Sequence, residues 1–236
     1  MNNFENYNVY KEVSYEGQEV IGTRFVLTEK PNGDIKARLV VKGFEEESSS
    51  TDSPTVSRDT FKVFCALSAN EKWNVEASDV RSAFLQADKL DREVFIEPPL
   101  ERKKEGIVWQ LIRPVYGLKD AARKWFESTV KTLTKLGMTQ CYNDCCLFYY
   151  RHKNKLSGLI LFHVDNFLSS GTEEFHKNVI VELRKTYQFG KISSERFVFT
   201  GLQFYQNKEK EIFIDQFEYA DRMELFNMTI NTQKIS

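Results

Sequence analysis

Histidine, cysteine and proline are all scarce in this chain, with three, four and five among 236 residues. Cys65, Cys141, Cys145 and Cys146 form no paired C-x-x-C sets and have few histidines to join them, which argues against a structural zinc site. Reduced, mostly packed thiols are the expectation. No apolar run approaches the ~18 residues of a membrane span, and the opening "MNNFENYNVY" lacks the basic and apolar regions of a signal peptide. That pattern predicts an intracellular protein with no membrane partner. An excess of either charge is missing too, since the formal net charge is −1. Balance overall does not exclude a basic channel, because residues 102–135 hold nine Lys/Arg against three Asp/Glu.

What is present is apolar and aromatic content, 41% and 14%, sufficient for one sizeable core or for two subdomains around a cleft. Residues 19–42 carry two β-branched runs about Pro-Asn-Gly-Asp, which predicts a hairpin. The Ser-rich stretch 45–55 reads as a loop. Residues 58–72 have helical spacing of Phe61, Phe64, Cys65, Leu67 and Ser68, and "WNVEASDV" after them suits a strand ending near Asp79. "REVFIEPP" and "IVWQLIRP" predict short strands closed by proline. "GLKDAARKWFESTVKTLTKLG" predicts a helix with one apolar stripe and Gly137 as its stop. A strand, turn and strand follow across "CLFYYRHKNKLSGLILFHVDNFLSS". Next come a helix over "TEEFHKNVIVELRKTYQFG" with Gly190 after its last turn, a hairpin about residues 207–210 and a final helix.

Two acids stand at the ends of predicted strands: Asp79 in "EASDVRSAF" and Asp165 in "LILFHVDNF". A carboxylate at the end of an apolar run costs free energy unless something positive lies against it. If the fold joins the two ends, a divalent cation resolves the repulsion, and magnesium is suited because it binds through one or two carboxylates plus substrate phosphates. The plain reading of each acid, a turn residue or a helix cap, stands beside that one.

Four strings occur in order: "KARLVVKGF", "DVRSAFLQADKLDREVFIEPP", "VYGLKDAARKWF" and "HVDNFLSSG". Together they resemble the reverse transcriptase domain of copia-like retrotransposon Pol polyproteins, from about residue 20 to the C-terminal "YADRMELFNM". The resemblance implies one α+β domain over 1–236 with the right-hand polymerase arrangement of fingers and palm, an antiparallel palm sheet packed on helices, and little of a thumb. Fingers would occupy about 20–75 with parts of 100–120, and palm about 76–100 and 115–205. Residues 206–236 would form a hairpin and helix leading toward the thumb. The implied activity is RNA-directed DNA polymerisation: two-metal nucleotidyl transfer onto a primer 3′-hydroxyl, with Mg2+, or Mn2+ in its place. Implied partners are an RNA or DNA template with primer, deoxynucleoside triphosphates, and the remaining Pol domains such as RNase H and integrase. The implied location is the cytoplasm, in a virus-like particle, or the nucleus.

Carried over residue by residue, Asp79 and Asp165 match the family's metal ligands, with the Val80 carbonyl beside them. Phe84 matches the bulky residue that excludes a ribose 2′-hydroxyl, against an ordinary core phenylalanine as the plain reading. Lys36 and Arg38, two apart on a predicted strand, would grip a triphosphate or else line a solvated hairpin face. Gly117 and Lys119 match the segment on which templating base and nucleotide rest, while Gly117 also suits a turn before the helix. Arg113, Arg123 and Lys124 are candidates for phosphate contacts with primer and template, and His163 lies near the primer end in the family.

One departure from the family stands out. Where it carries Tyr, Val and two aspartates, this chain reads His163, Val164, Asp165, Asn166. The second carboxylate is gone, so the expectation is attenuated catalysis, with Asp165 still making the principal metal contact. The alternative is a catalytically inactive retrotransposon remnant, or a domesticated module that binds nucleic acid or protein.

Overall fold

The computed structural model describes residues 2–29, 33–46, 52–221 and 223. Its centre is the apolar run in the strand Lys155–His163, where residues 159–162 are each at most 2% exposed. Side chains alternate across a strand, so the run feeds two cores rather than one. Leu159 and Leu161 enter a core with Phe61, Phe64 and Phe204; Ile160 and Phe162 enter a second with Trp125, Phe175 and Leu183. Both faces of this strand are therefore covered, which explains a run without polar alternation.

A six-stranded sheet surrounds that strand. In spatial order it comprises Phe189–Ser194, Val75–Val80, Asn166–Gly171, Lys155–His163, Leu147–His152 and Thr139–Gln140, with all neighbours antiparallel. Register pairs Leu161 with Leu168 and Phe162 with Phe167. A slip by one residue would exchange the two cores, so the apolar pattern itself pins the register. On one face lie the helix Ala121–Lys135 and the helical stretch 173–186; on the other lie the helix Arg58–Asn70 and a three-stranded sheet of Arg196–Phe199, Leu202–Gln206 and Ile212–Asp215. Ser57 caps Arg58–Asn70 by accepting from the Thr60 amide.

The hairpin expected over 19–42 is narrower in the structure. It consists of Thr23–Glu29 paired with Ile35–Val41; Val20–Ile21 instead joins another sheet, parallel to Phe95–Ile96. That sheet also holds Ile107–Leu111 and Tyr10–Ser14, and a short helix Asn2–Asn6 precedes it. The predicted turn at Pro31 and Asn32 lies outside the described residues, as do 47–51 of the Ser-rich loop. Of the final helix only Phe217–Asp221 is described.

Two predicted helix bounds move. The helix expected from Gly117 begins at Ala121, because Gly117 has φ +96° and belongs to the preceding turn. Gly190 does not stop the helix that ends at Thr186; it lies in the edge strand Phe189–Ser194. A sequence pattern of "helix, then glycine" cannot tell a terminal turn from a connector two residues long that leads into a strand.

All four cysteines are free thiols. Asp144, Cys145 and Cys146 place donor atoms within 4.8 Å of one another. The Asp144 carboxylate already accepts from the Ser57 and Cys146 amides, and burial pushes the Cys146 thiol well up, so this cluster is a poor cation site. Burial also pushes Cys65 up to about 12. Since only thiolate reacts, Cys65 and Cys146 are expected to resist iodoacetamide at pH 8 in the native protein and to label fully in urea. Mass spectrometry of the labelled peptides checks this.

Candidate active site

The site forms where the strand Lys155–His163 turns back into Asn166–Gly171. Only Val164 and Asp165 make that turn, since His163 already pairs with Asn166. Val164 sits at φ +55°, a left-handed conformation that costs a β-branched residue roughly 1–2 kcal/mol. Two bonds hold it: the Trp125 Nε1–H donates to the Val164 carbonyl at 2.7 Å, and the Val80 amide donates to the Asp165 carbonyl at 2.8 Å. The turn is thereby fastened to the strand Val75–Val80, on which Asp79 lies directly opposite Asn166.

This pairing brings Asp79 and Asp165 together. Burial pushes the Asp165 carboxyl above its usual range, and the Asp79 charge pushes it further, while Lys36 and Arg38 act in the opposite sense. The strand Ile35–Val41 therefore brings both cations within electrostatic range of Asp165, consistent with a shared strand face. Tyr116, not singled out from the sequence, adjoins these groups. Its hydroxyl is pushed up by burial and by Asp165, its ring is 5.8 Å from the Arg38 guanidinium carbon, and its centroid is 4.7 Å from that of Phe84. Phe84 is half-buried on the short helix Ala83–Gln86.

Asp79 has a second neighbour that the sequence did not reveal. A Cβ placed on Gly190 would fall 2.4 Å from Asp79 Oδ2, and the Lys191 amide donates to Asp79 Oδ1 at 3.1 Å. Glycine here is the space in which the carboxylate lies. Gly190→Ala is expected to swing the Asp79 carboxylate away and cut divalent-metal affinity about tenfold, with a small change in thermal stability; metal titration and melting curves on the same samples check both.

Asn166 is exposed, and its Nδ2 donates to Asp165 Oδ1 at 3.1 Å. An amide thus occupies one oxygen of the acid. His163, directly opposite Asn166 in the hairpin, shares the sheet face of Asn166 and Asp79 by register, with its ring 6.5 Å from Phe199 and its Nδ1 buried without a hydrogen-bond partner among the described residues.

Gly117 and Gly43 let two backbones touch. A Cβ on Gly117 would lie 2.0 Å from the Val41 carbonyl oxygen, and one on Gly43 would lie 2.0 Å from the Gly117 oxygen. The Val41 amide donates to the Tyr116 carbonyl at 2.8 Å across this seam. Beneath it, Arg92 bonds to Glu46 at 2.7 Å and Asp120 at 2.9 Å, and both carboxylates are buried. The Lys119 amide donates to Glu46 Oε2 and its Nζ to the Glu46 carbonyl, at 2.8 and 2.5 Å. Lys119 thus serves the junction between hairpin and helix. Removing one partner of such a buried cluster leaves a charge uncompensated, so the cluster ties these elements together whatever its net energy.

The other basic candidates are also engaged within the chain. Arg113 donates to the Ala87 carbonyl, Arg123 bonds to Glu127 at 2.9 Å, and Lys124 pairs with Asp91 at 2.8 Å. A phosphate at any of them would compete with an existing bond. Arg123 and Lys124 lie on the helix Ala121–Lys135, where the first pairs one turn along the helix and the second bridges to the loop before Phe95–Ile96.

The chemistry of this corner is that of a carboxylate, Asp165, whose charged form burial and Asp79 oppose and Lys36 and Arg38 favour. Oxygen-only, doubly acidic sites suit a hard divalent ion, and the donor set fits one. A family model described as "Reverse transcriptase (RNA-dependent DNA polymerase)" matches residues 7–236. The chain is 28% identical over 249 aligned positions to the retrovirus-related Pol polyprotein from transposon TNT 1-94 of Nicotiana tabacum, covering 97% of this chain and 18% of that protein. It is 28% identical over 165 positions to the Pol polyprotein from transposon RE1 of Arabidopsis thaliana, covering 65% and 11%. Identity to the truncated transposon Ty1-A Gag-Pol polyprotein of Saccharomyces cerevisiae is 28% over 192 positions, covering 79% and 16%. The chain therefore spans less than a fifth of these relatives. With the family match running from residue 7 to the last residue, the chain belongs to the reverse transcriptase family, as the domain carried by Pol polyproteins of copia-type transposons.

Proposed function

We propose that the chain carries out, in attenuated form, metal-dependent transfer of deoxynucleotides onto a primer 3′-hydroxyl, copying RNA or DNA. The observation that supports this is the joining of Asp79 and Asp165 through the Asp79–Asn166 strand pair, with Lys36 and Arg38 acting on the same acid. In this reading the hairpin of residues 23–41 is the fingers, the six-stranded sheet is the palm, and the three-stranded sheet leads toward a thumb.

Asp79 and Asp165 would hold divalent ions, Mg2+ or Mn2+, with the Val80 carbonyl beside them. When bound, such ions neutralise charge on the transferring phosphoryl group and lower the pKa of the attacking hydroxyl. Lys36 and Arg38 pair with the nonbridging oxygens of the triphosphate, a role for which the Arg guanidinium fork is shaped. Phe84 and Tyr116 form the floor under the sugar, where ring volume excludes a 2′-hydroxyl. Gly117 brings backbone, rather than a side chain, against the template base.

Partners under this reading are a primed template, deoxynucleoside triphosphates and other Pol domains such as RNase H and integrase; the site of action is intracellular, in a particle or the nucleus. A second reading, a descendant that binds nucleic acid or protein without catalysis, is favoured by Asn166 alone. Primer extension on RNA template with Mg2+ or Mn2+ separates the two. The full chain is expected to incorporate deoxynucleotides slowly, and Asp79→Ala to abolish this. Extension that survives Asp79→Ala overturns the two-carboxylate reading.

A further inference from the structure

The N-terminal residues 2–9 carried no role in the sequence, yet they are fastened to the turn that bears Phe84. Asn3 Nδ2 donates to Ser82 Oγ at 2.9 Å, across 79 residues. Tyr7 donates its hydroxyl to Gln188 Oε1 at 2.6 Å, across 181 residues. Gln188 is itself the hub of that turn: its carbonyl accepts from the Arg81 amide at 2.9 Å, and its amide donates to Gln86 Oε1 at 2.8 Å. Gln86 closes the ring by donating Nε2 to the Arg81 carbonyl at 2.6 Å.

The turn needs external support. Ser82 has φ 50° and ψ 45°, a left-handed conformation, and makes no side-chain capping bond to the helix Ala83–Gln86 that follows it. A helix of four residues has little stability of its own. Phe84 is only half-buried, so packing alone does not lock it. Phe4 supplies an apolar anchor beside the two hydrogen bonds, sharing a core with Leu39 and Leu85. Asn3 and Phe4 also wall a cavity of about 370 Å³, together with Phe25, Arg38, Ser82 and Tyr116. Arg38 and Tyr116 belong at once to this cavity and to the acid corner, so the N-terminal segment adjoins the place assigned to the nucleotide.

We infer that Asn3 and Tyr7 are positioning residues for sugar discrimination, holding the turn at 81–87 so that the Phe84 ring stays under the nucleotide sugar. The inference rests on the proposed nucleotide site for its functional half and on the bond network for its structural half. Neither side chain touches the reacting atoms. Both act through Phe84, so their loss lowers selectivity without removing the ring that provides it.

Two measurements on the full chain test this. Hydrogen exchange reads the amides of Arg81, Leu85 and Ala87, which are bonded to Gln188, Ser82 and Phe84 carbonyls. In Asn3→Ala and Tyr7→Phe these amides are expected to exchange roughly tenfold faster, with residues 159–168 unchanged, and Asn3→Asp, which can accept from the Ser82 hydroxyl, is expected to restore protection. The second measurement is competition between dATP and ATP for the chain with primed RNA template and Mg2+. The preference for dATP is expected to fall about threefold to tenfold in the same two variants, and to collapse in Phe84→Val. Unchanged exchange at 81–87 overturns the inference whatever the nucleotides do. If Phe84→Val collapses the preference and Asn3→Ala and Tyr7→Phe leave it intact, the positioning role is overturned and the sugar-gate reading survives. If Phe84→Val has no effect, or neither nucleotide binds, the nucleotide-site reading fails and takes the functional half of the inference with it.

Discussion

Asn166→Asp is expected to raise incorporation at limiting Mg2+ by tenfold or more and to lower the metal concentration needed for half-maximal rate. The present residue is an amide whose nitrogen bonds to Asp165 Oδ1 at 3.1 Å. Aspartate at this position removes that donor and adds a charge beside the acid pair. At ~4 Å and an effective dielectric of ~20, each unit-charge pair contributes about 4 kcal/mol before desolvation. Most of this is offset by the cost of desolvating the ion, but ~1.4 kcal/mol already gives tenfold in affinity. The same change has the opposite sign without metal. Asp165 is already pushed up by burial and by Asp79, so a third carboxylate is expected to lower the melting temperature in chelator. A larger metal-induced rise in melting temperature for Asn166→Asp than for the natural chain, together with loss of that rise in the double variant carrying Asp165→Ala, checks the argument. Equal metal responses in all three proteins would place the cations elsewhere.

Gly117→Ala is expected to destabilise the protein by about 3 kcal/mol or more, equivalent to a melting temperature roughly 6–12 °C lower for a chain of this length. Two independent costs combine. The backbone at φ +96° is one that alanine rarely adopts, and the added Cβ would lie 2.0 Å from the Val41 oxygen and 2.7 Å from Val40 Cγ1. The hairpin strand must retreat, and the bond from the Val41 amide to the Tyr116 carbonyl is stretched with it. Tyr116 stands against Phe84 and beneath Arg38, so nucleotide affinity is expected to fall along with stability. Gly43→Ala separates the two costs. It meets the Gly117 oxygen at the same 2.0 Å but without a positive φ, so it is expected to lose nucleotide affinity with a smaller stability change. Urea unfolding midpoints and nucleotide titration of both variants check this ordering.

The central strand, the hairpin turn after it and the helix Ala121–Lys135 were legible because local pattern decides them. An unbroken apolar run, two residues able to reverse it, and a stripe of apolar residues at helical spacing each hold within one segment. The candidate acids were legible for a similar reason: each stands at the end of a predicted strand. Other residues stayed silent because their roles depend on partners distant in sequence. Gly190 reads as a helix stop until Asp79, 111 positions earlier, is seen to fill the space that a Cβ would take. Arg92 is one more surface-type cation until Glu46 and Asp120 close around it. Val20–Ile21 carries the same β-branched signal as the strand after it, but pairs with residues 95–96 instead.

By itself, then, the sequence determined the central strand, the turn after it and the helix Ala121–Lys135, that two carboxylates stand at strand ends, and that a neutral amide stands beside one of them, while the helix Asn2–Asn6 and the strands Tyr10–Ser14 and Phe189–Ser194 left no mark in that reading. Only the tertiary structure decided that Asp79 pairs with Asn166 beside Asp165, that Lys36 and Arg38 act electrostatically on that acid, and that Arg113, Arg123 and Lys124 are engaged by their own chain. The division has a physical cause. Periodicity and turn chemistry act over a few residues and leave their mark in the order of side chains. A charge's environment is set by whatever the fold brings within several ångströms of it, and distance along the chain carries almost no information about that.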